Sequence, residues 1–195
     1  MSAPLLTLAN QLTMLRMGLA PLLVVLVIYR ELQWALAVFV VAGLTDLFDG
    51  YAARHGSQQT TLGAMLDPVA DKILLSSSFL ALTWSRGLPL NIPVWLTVIT
   101  LSRDAIIVVS VAIINLTVGR RVFFPSLLGK LSTASQIVTV GVVLLVNALG
   151  RSHPAVDAIF GLAAALTVLS ALHYVYLAST GRAGTPDPPA AAGPA

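Results

Sequence analysis

Residues 45–72 of this chain read TDLFDGYAARHGSQQTTLGAMLDPVADK, and this stretch decides how the rest of the sequence is interpreted. It holds four of the seven aspartates of the chain, although the sequence on both sides is strongly apolar. These four are Asp46, Asp49, Asp67 and Asp71. One ionised aspartate at the centre of a membrane-spanning helix costs about 2.5 to 3.5 kcal/mol, so four oppose insertion by about 10 kcal/mol. Divalent cations together with a phosphate-bearing substrate are the obvious compensation, and we therefore take an embedded metal site as the first hypothesis.

The spacing of these aspartates predicts one shared site. Asp46 and Asp49 are three residues apart, and Asp67 and Asp71 are four apart, so each pair lies on one face of a helix. The two pairs are placed almost symmetrically about the polar segment 55–61. An antiparallel pair of helices would bring all four carboxylates to the same depth, near one membrane face. That arrangement suits one or two hard cations with coordination positions left for substrate phosphates.

Residues between the aspartates fit the same interpretation. Gly50 and Gly63 have no side chain, so a nucleotide or another backbone can approach closely. Arg54 carries forked donors that suit a diphosphate. The chain contains no cysteine, which excludes disulfides, thiolate metal ligands and a cysteine nucleophile.

The composition predicts an all-α integral membrane bundle of six transmembrane helices. Apolar residues make up 57% of the chain and charged residues 10%, and the mean hydropathy is +0.89. We expect spans at residues 9–29, 33–55, 62–85, 92–117, 126–149 and 154–179. Residues 1–180 are predicted to form this membrane domain, and the Pro- and Ala-rich residues 181–195 a disordered tail.

The distribution of basic residues favours a cytoplasmic N-terminus in a cell (inner) membrane, with the aspartates facing the cytoplasm. In that orientation four arginines lie on the inside and three on the outside, which is a slight bias. The inside set is Arg54, Arg120, Arg121 and Arg182, and the outside set is Arg30, Arg86 and Arg151. The net charge of +3 suits an anionic leaflet and gives no support to nucleic-acid binding.

Aspartates at membrane depth also occur in proteins that are not enzymes. The cluster could line the pathway of a small metal or proton transporter, or its carboxylates could pair with Arg or Lys for stability alone. For Asp104 and Asp157, which have no clustered partners, the purely structural role is preferred. An intramembrane prenyltransferase also holds magnesium on aspartates. Enzymes of that kind look longer and have two separate aspartate motifs, whereas this chain has a single cluster.

The cluster resembles the signature of a known family. All eight fixed positions of the pattern D-x2-D-G-x2-A-R-x8-G-x3-D-x3-D occur within residues 46–71, and this pattern is typical of the CDP-alcohol phosphotransferases. Three further segments, residues 10–21, 66–72 and 129–136, look like members that make phosphatidylglycerophosphate or cardiolipin. The first of these segments includes Asn10, Arg16 and Pro21. The resemblance covers about residues 8 to 180.

This resemblance implies a transferase that joins the phosphatidyl group of CDP-diacylglycerol to an alcohol and releases CMP. It implies two Mg²⁺ or Mn²⁺ ions, a lipid bilayer as the environment, and a homodimer. The implied metal ligands are Asp46, Asp49, Asp67 and Asp71, of which Asp71 is also the general base. The implied CDP-binding residues are Gly50, Ala53, Arg54 and Gly63.

The alcohol acceptor is less well defined. A phosphate-bearing acceptor needs fixed positive charge, and the intramembrane candidates are Arg103 and Lys130. If both face the cluster, glycerol 3-phosphate is the expected acceptor, whereas the structural alternative is pairing with Asp104 or snorkelling to headgroups. The run Ser102-Arg103-Asp104 looks closer to cardiolipin synthases of this family, whose acceptor is phosphatidylglycerol.

Overall fold

A computed structural model describes most of the chain. The backbone is described for residues 8–55, 61–117, 121–122, 127–150, 155–179 and 185–186. The side chains are described for residues 11–46, 68–110, 127–150 and 155–176. All statements below refer to these ranges.

Six long helices make up the fold. They are α1 (Leu8–Ile28), α2 (Leu32–His55), α3 (Thr61–Trp84), α4 (Val94–Thr117), α5 (Leu127–Leu149) and α6 (Ala155–Ser179). Each begins and ends within about two residues of a predicted span, so the all-α class and the helix boundaries are confirmed.

Two short strands lie outside the helices. Strand β1 (Arg121–Val122) pairs antiparallel with β2 (Thr185–Pro186), which falls within the segment predicted to be disordered. The rest of residues 181–195 lies outside the described residues. The division of the chain at residue 180 therefore stays a prediction.

Polar side chains close the connection between α3 and α4. The amide of Asn91 donates to the carbonyl oxygens of Leu82 at 3.0 Å and Ser85 at 2.9 Å, which satisfies acceptors that the last turn of α3 leaves open. Asn147 of α5 makes two bonds with the backbone of Leu90, donating to its oxygen at 2.8 Å and accepting from its N–H at 2.9 Å. This loop is thereby bound to both α3 and α5.

Helix packing places α1 at the centre of the first half of the bundle. Helix α1 packs extensively against both α2 and α3, while α5 contacts α6 and α2, and α4 contacts α6. The core consists of apolar side chains from these contacts, among them Leu23, Phe79, Leu82 and Leu144, all fully buried. The position of α1 between α2 and α3 decides the geometry of the aspartate site.

The helices carry an apolar outer surface. Within the residues whose side chains are described, three of them are long and apolar enough to cross a membrane, over Gln11–Ile28, Leu127–Leu149 and Ala155–Tyr176. Large apolar side chains also face outward along these helices, for example Leu22, Leu145 and Leu172. The chain is therefore a membrane protein. Six spans remain a prediction, because the described side chains cover only part of α2, α3 and α4.

The three tryptophans of the chain mark one end of the bundle. Trp34 lies at the start of α2, Trp84 at the end of α3 and Trp95 at the start of α4, and each is at least half exposed. Tryptophan is enriched where a membrane meets water, because its ring is amphipathic. We infer that this end lies at headgroup level, and that the aspartates of α2 and α3 lie toward the opposite end.

Candidate metal and substrate site

A single arginine joins two of the predicted site aspartates. Arg16 of α1 donates from Nη1 to Oδ1 of Asp71 at 2.7 Å, and its Nη2 lies 3.2 Å from Oδ1 of Asp46. Asp46 belongs to α2 and Asp71 to α3. The guanidinium of Arg16, on α1, therefore joins α2 to α3. The structure thus brings together the outermost members of the predicted cluster.

Burial differs sharply across this ion triad. Arg16 is 1% exposed, whereas the side chains of Asp46 and Asp71 are 49% and 40% exposed. A buried guanidinium needs carboxylate or carbonyl partners, because removing its charge from water without them is costly. The carboxylates keep access to the space outside the bundle, which a ligand site requires.

The remaining predicted metal-binding and CDP-binding residues lie outside the described side chains. Their backbones belong to α2 and α3, which are helical through residues 55 and 84. Nothing in the structure tests their roles as metal or CDP ligands, which stay predictions. They are Asp49, Gly50, Ala53, Arg54, Gly63 and Asp67.

Arg16 was not among the candidate site residues predicted from the sequence. Two signals pointed to it: it is a cation inside the first apolar run, and it belongs to the segment 10–21 that carries part of the family resemblance. A basic residue at membrane depth is expected to have an acidic partner. Which acid it meets depends on α1 lying between α2 and α3, and the sequence pattern does not specify that packing.

A cavity of about 130 Å³ adjoins the triad. Its polar side is formed by Arg16, Asp46 and Asp71, and its apolar walls include Phe39, Leu74 and Ile137. Liquid water occupies about 30 Å³ per molecule, so this volume holds a few waters and not a whole nucleotide. The cavity suits one polar group, such as a phosphate, with hydrocarbon beside it.

A second charged network lies one residue further along α3. Lys72 donates from Nζ to Oδ2 of Asp104 at 2.6 Å, and Arg103 donates from Nη1 to Oδ1 of Asp104 at 2.8 Å. Arg103 also donates from Nη2 to the hydroxyl of Ser170 at 2.7 Å. The network therefore ties α3 to α4 and α6, and the predicted structural role of Asp104 agrees with these bonds.

The two predicted acceptor-site cations differ in environment. Arg103 is 6% exposed, and its Nε is buried without a hydrogen-bond partner in the described part of the chain. Lys130 is exposed in the first turn of α5 and forms no hydrogen bond or ion pair with Arg103 or the Arg16 triad among the described side chains. Asp157, the other aspartate interpreted as structural, is exposed in the first turn of α6, where the helix dipole favours a negative charge.

Comparison with protein families agrees with this geometry. The family model described as CDP-alcohol phosphatidyltransferase matches residues 6–171, which include all six helices except the end of α6. The chain therefore belongs to the CDP-alcohol phosphatidyltransferase family, and the resemblance noted in the sequence is confirmed.

Individual relatives divide between two activities. The chain is 36% identical over 177 residues to a probable phosphatidylglycerophosphate synthase of Mycobacterium tuberculosis, covering 86% of this chain and 79% of that protein. It is 33% identical over 174 residues to the CDP-diacylglycerol–glycerol-3-phosphate 3-phosphatidyltransferase of Salmonella choleraesuis, covering 84% and 90%. It is 46% identical over 106 residues to human cardiolipin synthase (CMP-forming), covering 54% of this chain and 34% of that protein. The matched part thus spans about a third of the length of the human and rat cardiolipin synthases.

The Arg16 triad generates a first prediction. Replacing Arg16 by Ala should lower the free energy of unfolding by about 2 kcal/mol, between the values for exposed and fully buried pairs, because the carboxylates are half exposed. The Arg16→Lys protein should lose less of the free energy of unfolding, because lysine keeps the positive charge. It still loses some, because lysine lacks the forked guanidinium that meets two carboxylates at once. Thermal unfolding in detergent measures both.

Arg86→Gln is the matched control for these variants. Arg86 is exposed, and its side chain forms no ion pair within the described ranges. In detergent without added phospholipid, its loss should therefore change stability by less than about 0.5 kcal/mol. An Arg16→Ala protein that unfolds at the wild-type midpoint would show that the triad does not stabilise the bundle.

Proposed function

We propose that this chain is a phospholipid-synthesising transferase that moves the phosphatidyl group of CDP-diacylglycerol to glycerol 3-phosphate and releases CMP. The observation that carries the proposal is the eight-position aspartate signature on α2 and α3, with Asp46 and Asp71 held by one buried guanidinium. Family membership supports it, as do the relative named a probable phosphatidylglycerophosphate synthase and the relative named a glycerol-3-phosphate 3-phosphatidyltransferase. Both relatives are covered over most of their length.

The donor set fits a divalent metal. Asp46 and Asp71 present carboxylate oxygens from two helices to one place, and carboxylate oxygen is the ligand that Mg²⁺ and Mn²⁺ prefer. We propose that these two residues, together with Asp49 and Asp67, hold two such ions. When bound, the ions would supply positive charge beside the diphosphate and make CMP a better leaving group.

The residues of the chain have distinct proposed roles in the transfer. The acceptor hydroxyl attacks the phosphorus of the phosphatidyl group, the bond from that phosphorus to the bridging oxygen breaks, and CMP leaves with the electron pair. Asp71 accepts the hydroxyl proton, and its bond from Arg16 fixes the direction of the carboxylate. Gly50, Ala53, Arg54 and Gly63 are proposed to bind CDP.

The apolar side of the cavity supports a lipid as the donor. Hydrocarbon walls formed by Phe39, Leu74 and Ile137 lie directly beside the charged triad, so a group that is polar at one end and apolar at the other is accommodated. A free sugar nucleotide would leave these walls in contact with water.

For the acceptor we propose a pocket near Arg103. Its guanidinium is buried, and its Nε and the Oγ1 of Thr100, one turn earlier on α4, are buried polar atoms with no hydrogen-bond partner in the described part of the chain. Buried polar atoms are normally paired, so this surface suits a polar ligand such as a phosphate ester. Lys130 is proposed as a second cation for the acceptor phosphate, reached from the surface of the bundle.

Cardiolipin synthesis is the second candidate. It is favoured by the run Ser102-Arg103-Asp104 and by the 46% identity to the human cardiolipin synthase. In that reaction phosphatidylglycerol replaces glycerol 3-phosphate as acceptor. A small metal or proton transporter receives no support from the family match.

We further propose six membrane spans in a cell (inner) membrane, with the aspartates facing the cytoplasm, and a homodimer. The charge distribution and the tryptophans at the other end of the bundle support the orientation. The dimer rests on the family resemblance alone.

The reaction is tested directly with purified protein. With CDP-diacylglycerol and Mg²⁺, glycerol 3-phosphate should yield CMP and phosphatidylglycerophosphate, identified by mass spectrometry. Phosphatidylglycerol, inositol phosphate and serine are supplied in parallel, and a cardiolipin product would establish the second candidate instead. EDTA should abolish CMP release and added Mg²⁺ or Mn²⁺ should restore it, because the carboxylates alone cannot neutralise the diphosphate.

The metal assignment and the transferase activity are each contradicted by a different result. Undiminished turnover after exhaustive metal removal would contradict the metal assignment. If CDP-diacylglycerol releases no CMP with any of the four acceptors, the transferase proposal is contradicted and a transporter is favoured.

Asp71→Asn tests the proposed base. The substitution keeps the size of the side chain and removes the proton acceptor, so kcat should fall at least about 100-fold while CDP-diacylglycerol binding is largely kept. Asp157→Asn, at an exposed site on α6, is the matched control and should leave kcat unchanged. If binding of CDP-diacylglycerol falls as much as turnover, Asp71 acts mainly as a metal ligand.

Arg103→Ala and Lys130→Ala test the acceptor site. Each should raise the KM for glycerol 3-phosphate about tenfold and leave the KM for CDP-diacylglycerol nearly unchanged, because a hydrogen bond to the acceptor phosphate is lost. The thermal midpoint is measured alongside, since Arg103 also binds Asp104 and Ser170. Equal changes in both KM values would refute the role.

A further inference from the structure

A surface groove lies at the tryptophan end of the bundle, away from the aspartates. Its volume is about 620 Å³, and it runs between the end of α1 and the end of α3. Two arginines, Arg30 and Arg86, form one side of it, and the apolar side chains of Ile28, Leu80 and Trp84 form the other. The proposed reaction uses none of these residues.

The guanidinium of Arg30 is fixed at the edge of this groove. It donates from Nη2 to the carbonyl oxygen of Arg86 at 3.1 Å. It also lies directly over Gly87, where an added Cβ would come within 2.3 Å of Nη2. Gly87 has a φ of +75°, a backbone conformation that a residue with a Cβ rarely adopts. Glycine at this position therefore provides the space that Arg30 occupies.

The backbone of Arg30 is itself unusual. Its φ of 63° places a bulky non-glycine residue in the left-handed region, which costs free energy and persists only where the surrounding structure enforces it. The conformation directs Arg30 toward the α3–α4 connection instead of along α1. Both arginines are thus gathered on one side of the groove.

The positive charge of the groove is not neutralised by any of the described carboxylates. Neither Arg30 nor Arg86 forms an ion pair with a carboxylate among the described side chains. Glu31 is adjacent in sequence and exposed, and it does not bond to either guanidinium in these ranges. Two cations against one carboxylate leave the patch with excess positive charge.

The surroundings specify what kind of anion fits. Ile28 is 61% exposed, Leu80 40% and Trp84 60%, so an apolar surface continues from the arginines along α1 and α3. The exposed tryptophans place this end at headgroup level. A ligand that meets both surfaces has an anionic head beside hydrocarbon, whereas free phosphate would use the arginines alone.

We propose that this groove binds the phosphate of an anionic phospholipid in the leaflet opposite the aspartate site. The forked donors of Arg30 and Arg86 hold the phosphate, Ser85 lies beside them, and one acyl chain lies along Ile28 and Leu80. The site is separate from the proposed transfer reaction, and its existence does not depend on that reaction.

Phosphatidylserine is the test ligand, because it is neither donor, acceptor nor product in the proposed reaction or in cardiolipin synthesis. It is titrated into the full-length protein in neutral detergent, with phosphatidylcholine and inorganic phosphate as parallel arms, and the thermal midpoint is recorded. Phosphatidylserine should raise the midpoint at concentrations where the other two ligands do not.

Three variants locate the effect. Arg86→Gln should require about tenfold more phosphatidylserine for the same shift, because it removes a charged donor that makes no other side-chain contact in the described ranges. Arg30→Gly should weaken binding similarly while suiting the left-handed backbone, so that loss of folding does not explain the result. Glu31→Gln raises the net charge by one unit, whereas each arginine variant lowers it by one. It should keep or strengthen phosphatidylserine binding.

Specific results would overturn the proposal. These are equal shifts with phosphatidylserine and phosphatidylcholine, a wild-type response in both arginine variants, or a full shift with inorganic phosphate alone. None of these results concerns CMP release, so the proposed lipid site and the proposed transferase activity are tested independently.

Discussion

The ion triad of Arg16, Asp46 and Asp71 is the interaction on which the arrangement of the first three helices depends. Two carboxylates on separate helices repel one another in a low-dielectric environment, and the guanidinium between them turns that repulsion into attraction. Because Arg16 is almost fully buried, it also fixes where α1 lies. The same contact therefore determines both helix packing and the positions of the site carboxylates.

The charged network of Lys72, Asp104 and Arg103 extends this arrangement to the second half of the bundle. Lys72 follows Asp71 directly on α3, so the proposed base and the support of α4 share one turn of helix. Arg103 continues the network to Ser170 on α6. A continuous chain of charged residues therefore runs from the proposed base to the region proposed for the acceptor.

The sequence predicted the helices well, and it predicted that Asp46 and Asp71 lie close together, for identifiable reasons. Long apolar runs ended by polar or glycine-containing turns specify helix boundaries, and spacings of three and four residues specify a shared face. It did not predict the bridge by Arg16 or the pairing of Lys72 with Asp104. Both contacts depend on which helices become neighbours. Arg16 and Asp71 are 55 positions apart in the sequence. Lys72 and Asp104 are 32 positions apart, so each pair meets only through tertiary packing.

The reciprocal bonds between Asn147 and Leu90, together with those of Asn91, have a mechanical consequence for the whole bundle. They fasten three helices at the tryptophan end with amide contacts that lipid cannot replace. Toward the carboxylate end, the described contacts between helices are ion pairs and hydroxyl hydrogen bonds, such as that between Ser132 and Thr167. The two ends therefore differ in their response to an ionic ligand, because a cation or a phosphate competes for the partners of charged groups and leaves neutral amide bonds in place.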